Sequence, residues 1–181
     1  MFRKLHKVCV GFCWLAMIAF AGMMYHHRSL FYPLVDLVDA LRVREGLEQQ
    51  KSGEMSGKVA RVLSGDMFIV KDERGGCCTI RLTGVEAPAY ELNNRAAQLR
   101  AFASRTNLSQ LLLSNDVRVE LTYTNDTGSA LGIVYVGTNN INVKAVETRI
   151  VQAKRENMRG LPLKDRYALI QAERKARANT E

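Results

Sequence analysis

Between Ser64 and Glu91, charged side chains that could do chemistry stand beside short apolar runs, among them Asp66 in Ser64-Gly65-Asp66, Arg81 in Thr79-Ile80-Arg81-Leu82, and Glu86 and Glu91 in the stretch 85–91. Carboxylates accept protons and bind hard cations through oxygen, while a guanidinium meets a phosphate or carboxylate with a rigid fork of donors. These residues also have plainer uses. Asp66 after Gly65 shapes a turn between strands, and Arg81 with Glu86 makes an ion pair. The four cysteines add neither a metal site nor a disulfide framework: Cys9 and Cys13 lie in an apolar segment, and adjacent Cys77 and Cys78 point to opposite faces of a strand. No CxxC pair or His cluster has ligand spacing, so all four read as packing residues.

Charge limits the partners. The 181 residues carry a formal net charge of +8, but residues 1–28 hold four basic and no acidic side chains, and residues 149–181 hold nine basic and four acidic ones. The middle, 29–148, has 13 basic and 14 acidic residues. A sequence-independent nucleic-acid binder draws most of its affinity from neutralising phosphates. The middle offers no basic excess for that, and only the C-terminal basic residues can supply one.

The elements that must position the charged residues are short. Strands are expected over 58–63, 67–71 and 77–85, separated by Ser64-Gly65-Asp66 and by 72–76, and over 117–124 and 131–136, joined by Asn125-Asp126-Thr127-Gly128. The first strand is apolar on both faces, with Val59 and Leu63 on one and Ala60 and Val62 on the other, as in the wall of a small barrel. Asn93 or Asn94 caps a helix with apolar positions Ala97, Leu99, Phe102, Ala103 and Leu108 running toward Leu113. A second helix runs from Asn142 to Lys154, and a third over 164–178 places Tyr167, Ile170 and Arg174 on one face. Three strands, a helix, two strands and two helices make an α+β fold, a five-stranded OB-type β-barrel with three helices.

Ahead of the barrel, residues 8–25 form 18 consecutive uncharged residues, flanked by Arg3, Lys4 and Lys7 and by His26, His27 and Arg28. At about 1.5 Å per residue this helix is about 27 Å long, close to a bilayer core. It is expected to be a single-pass anchor, with a membrane as partner and the soluble part extracytoplasmic by the flanking charge. The alternative is a signal peptide cleaved at Ala19-Phe20-Ala21, which releases the rest as a secreted chain. Beyond Pro33, Leu34, Leu37, Val38 and Leu41 follow the spacing of an amphipathic juxtamembrane helix, then a polar linker covers 49–56. The expected divisions are thus 1–28, 29–56 and 57–181.

The runs GKVARVLSGDMFIV, TIRLTGVEAPAY, GSALGIVYVG and INVKAV, in that order, resemble the successive motifs of the staphylococcal-nuclease (thermonuclease-like) family. That resemblance implies calcium-assisted phosphodiester hydrolysis, with nucleic acid as substrate and calcium as cofactor. It assigns metal binding to Asp66, Glu86 and the backbone carbonyl of Ala87, and phosphate stabilisation to Arg81. Glu86 replaces an aspartate, one methylene longer, and Ala87 replaces a threonine. Two positions depart further. Ala89 stands where the family has its general-base glutamate and Ser129 where it has a second arginine. Alanine accepts no proton and serine carries no positive charge. Glu91 is the candidate for a displaced base. Residues 152–159 lack the family's nucleotide-stacking tyrosines, and Arg149 replaces a glycine. The reading these departures favour is a membrane-anchored, catalytically impaired domain that acts as a binding or scaffolding module, for which the sequence names no protein partner. Its alternatives are a weak metal-dependent phosphodiesterase and a purely structural membrane protein.

Overall fold

The computed structural model describes residues 28–42, 53–124 and 129–178. The membrane segment 8–25, its signal-peptide alternative and the hairpin tip 125–128 lie outside the described residues. Among the described residues no helix is long and apolar enough to cross a membrane. Two compact units divide the chain, Met1–Val38 and Asp39–Glu181. Helix α1, Arg28–Arg42, carries Pro33 within it and so starts earlier than the proline suggested.

The second unit is built on a barrel. Strand β1 (Gly53–Val62) pairs antiparallel with β2 (Met67–Asp72), and β2 pairs with β3 (Cys77–Leu82). The N-terminal half of β1 pairs with β5 (Asp116–Thr124), which pairs with β6 (Ser129–Val136). A parallel ladder, Thr79–Leu82 against Ser129–Gly132, closes the cylinder. Among the described residues, five barrel strands and four α-helices thus form the α+β, OB-type architecture that the strand order implied.

Every second residue on these strands points inward. Phe68 and Val70, Ile80 and Leu82, and Val117 and Val119 are all buried in one core. On β1 the alternation breaks, because the register shifts between Val59 and Arg61. Val59 and Val62 are buried, whereas Ala60 and Arg61 are exposed, so this strand does not bury both faces as expected. A bulge adds one residue to one strand and turns the following side chains over. The strand also begins at Gly53, inside the stretch read as polar linker, because its first residues pair with β5.

The expected strand 77–85 is interrupted at Thr83-Gly84, leaving β3 and the short β4 (Val85–Glu86). Gly84 has φ +81°, and a Cβ there would lie 2.5 Å from Leu169 Cδ1, so both the backbone and the space call for glycine. Helix α2 (Arg95–Leu112) starts where Asn94 accepts a hydrogen bond from the Ala97 amide. Its buried face matches the expected one at Ala97 and Leu108 and departs from it elsewhere. Ala97, Ser104, Leu108 and Leu112 face inward, while Leu99, Phe102 and Ala103 are exposed. Small residues let the helix approach closely: a Cβ on Gly65 would collide with Ser104 Oγ.

The short β7 (Asn139–Asn140) leads into α3 (Ile141–Glu147), which ends well before Lys154. The chain then turns through Arg149, whose φ of +59° is a conformation that favours glycine. Its Nε donates to the Ala176 carbonyl of α4 (Leu163–Ala178). Strand β8 (Gln152–Ala153) follows, then a 3₁₀ turn, Arg155–Met158. Asn142 joins these layers: its Nδ2 donates to the Thr83 and Gly132 carbonyls, and its Oδ1 accepts from the Val134 amide. On α4, Arg166, Leu169, Ile170, Ala172 and Ala176 are buried, while Tyr167 and Arg174 are half-buried.

Candidate active site

Asp66 closes the β1–β2 turn. The amides of Leu63 and Ser64 both donate to the Met67 carbonyl, and Ser64 Oγ donates to Asp66 Oδ1 at 2.6 Å. The Leu82 amide donates to the Asp66 carbonyl, which brings the end of β3 alongside. Arg81 Nε then lies 3.4 Å from Asp66 Oδ2, with the carboxylate side chain 9% exposed and the guanidinium side chain 53% exposed. Asp66 therefore shapes the turn and also meets a cation, which is Arg81.

Arg81 and Glu86 do not pair with each other. Strand β4 pairs with β8, Glu86 opposite Gln152, and Glu86 Oε1 accepts from Lys154 Nζ at 2.7 Å. That bond is the main cause holding the Lys154 ammonium above its ordinary pKa. Glu91 is tied to the start of α2: its Oε2 accepts from Asn94 Nδ2, and its carbonyl accepts from the Asn94 amide.

Two open depressions flank these residues. One, of about 270 Å³, is lined by Met67, Thr79, Arg81, Tyr123, Ser129 and Leu131. Thr79 pairs with Ser129 across the closing ladder, so Ser129 lies on the same pleat as Arg81, two residues further along. The other, of about 530 Å³, takes in Glu86, Ala87, Ala89, Glu91, Arg100 and Gln152. The sequence-assigned residues thus divide into an arginine–serine side and a carboxylate side. The β1–β2 turn links them, since a Cβ on Gly65 would lie 3.2 Å from Ala87 Cβ.

Carboxylates and a backbone carbonyl are hard oxygen donors of the kind calcium takes, usually about six to eight at once. The donor chemistry of Asp66, Glu86 and Ala87 suits the ion. Among the described residues, however, no group of three or more Asp, Glu, His or Cys side chains is gathered to hold one. Asp66 Oδ2 already meets Arg81 and Glu86 Oε1 already meets Lys154, so a cation on either carboxylate shares it with an ion-pair partner.

Sequence reasoning missed Lys154 and the part played by Asn142. No local spacing signals a pair 68 residues apart, such as Lys154 with Glu86. Asn142 had a signal, a polar residue inside the apolar run INVKAV, and its burial with three hydrogen bonds explains it.

The family model described as Staphylococcal nuclease homologue matches residues 79–181. The match begins in β3 and includes Arg81, Glu86, Ala87, Ala89, Glu91 and Ser129, whereas Asp66 precedes it. No curated protein matches the chain.

Proposed function

Because the chain belongs to the staphylococcal nuclease homologue family, we propose that it is a membrane-anchored member whose domain binds its ligand and turns it over poorly. One observation carries the reading: among the described residues that line the Arg81–Ser129 depression, Arg81 alone has a guanidinium, and it is ion-paired with Asp66. Ala89, in the neighbouring depression, has no proton-accepting group. Ground-state binding survives such losses better than turnover, because a base and a second cation act chiefly as charge develops in the transition state.

The ligand class the family suggests is a nucleic-acid strand. Arg81 and the half-exposed Tyr123 ring border one depression, a cation and an aromatic of the kind that hold a phosphate and a base. Fluorescence anisotropy of labelled single-stranded DNA with the full chain in detergent micelles tests this. The expected result is salt-sensitive binding, several-fold weaker in Arg81→Ala, with the strand left intact. Binding indifferent to Arg81→Ala would contradict it.

Glu91 supports a second reading, a weak metal-dependent phosphodiesterase. It shares its depression with Glu86 and Ala89, the position that lacks a base.

For the anchor, carbonate extraction should leave the intact chain in the membrane fraction, with a mass that includes residues 1–21. Release of a soluble chain beginning at Gly22 would show cleavage instead.

A further inference from the structure

Helix α1 inverts the usual arrangement of an amphipathic helix. Leu34, Leu37, Val38 and Leu41, at the spacing of one helical stripe, are all exposed, Leu34 and Leu41 by 59% and 60%, and Val35 beside them by 55%. Asp36 on the same helix is buried. In a helix that serves only a soluble fold, the apolar stripe faces the core and the aspartate faces water. A stripe of five large apolar side chains left outward requires something apolar to cover it.

We infer that this face lies in the surface of a lipid bilayer. Two features commit the face to lipid. The 18-residue uncharged run 8–25 ends only two residues, His26 and His27, before the helix begins at Arg28, so an anchor in the bilayer delivers α1 at its surface. The first and last residues of the helix, Arg28 and Arg42, are both basic, a composition that suits anionic headgroups. A helix of this length, about 22 Å, lies in the interface with its apolar face about 5–10 Å into the headgroup and acyl boundary. The inference rests on the anchored reading and adds to it: the chain holds the bilayer by a second, in-plane contact that fixes how the following domain is presented.

Trp14 is the one tryptophan, so a Trp14→Phe chain can report from a single new site. The test places Leu37→Trp or Leu41→Trp in the full chain, in phosphatidylcholine vesicles with ordinary or brominated acyl chains. Arg61→Trp, at an exposed position on β1, is the control. The expected result is blue-shifted emission from positions 37 and 41 that brominated lipid quenches, and unquenched emission from position 61. Unquenched emission from 37 and 41, in vesicles from which carbonate does not extract the chain, overturns the inference and leaves the anchor standing. Extraction by carbonate together with quenching removes the anchor but keeps the in-plane contact. Blue-shifted emission without quenching, with a doubled mass by light scattering, overturns it in favour of a second copy of this chain on the same face.

Discussion

Ala89→Glu combined with Ser129→Arg is expected to raise calcium-dependent cleavage of single-stranded DNA by several orders of magnitude over the natural chain. A general base contributes about 10²–10⁴-fold, and a preorganised electrostatic donor about 10²–10³-fold. Restoring both approaches about 10⁴–10⁷ if the factors multiply, and less if the two groups act as a unit. The positions suit the change. Ser129 faces the depression that Arg81 lines, so an arginine there sets a second guanidinium beside the first. Ala89 is exposed in the depression that holds Glu86, where a glutamate meets solvent water. Adding Asp66→Ala should abolish the gain. A double variant no faster than the natural chain would mean that the carboxylates, held by Arg81 and Lys154, do not support the chemistry.

The second large effect is on stability. Phe68 is fully buried and follows Asp66 by two residues on β2, so it forms the barrel wall behind the site. Phe68→Ala removes a ring from a closed core and leaves a cavity, at a cost of about 3–5 kcal/mol. That shifts the folding equilibrium by roughly 10²–10⁴. Because residues 53–181 contain no tryptophan, their urea unfolding should be followed by circular dichroism. A piece beginning at Gly53 keeps the β1–β5 pairing and should melt cooperatively, whereas Phe68→Ala should melt at much lower urea or be unfolded without it. An unchanged midpoint would place Phe68 outside the core.

The order of strands and helices was legible because it rests on local signals: the turn at Ser64-Gly65-Asp66, the Asn94 cap and the alternation along β2 and β5. What escaped depends on tertiary contacts. Nothing near Ala60 announces a bulge, since the register shift is set by the partner strand. Ala97 and Leu108 were placed correctly on the inner face of α2, but Leu99 and Phe102 were not, because Ser104 packs there and its close approach to Gly65 outweighs hydrophobicity. On α1 the apolar stripe was read correctly as a stripe, but its outward direction came only with the structure.

The site was legible in part for the same reason. The pairing of Asp66 with a neighbour could be anticipated from its turn, but which cation it meets depends on where β3 ends. Glu86 was expected beside Arg81 and instead meets Lys154, brought by a two-residue ladder between β4 and β8 that has no periodicity to read. Arg149, noted in the sequence as a departure from glycine, occupies a glycine-favouring conformation and is held there by its bond to α4.

The most direct measurement is the initial rate at which the purified natural chain cleaves single-stranded DNA with saturating calcium, against the same reaction with chelator and against an intact family nuclease. The proposed binding module, with Arg81 as the guanidinium beside Ser129, Ala89 in place of a base and both carboxylates ion-paired, should run about 10⁴–10⁷ below the intact enzyme. Turnover within about tenfold of that enzyme, lost on chelation and in Asp66→Ala, would contradict the proposed impairment.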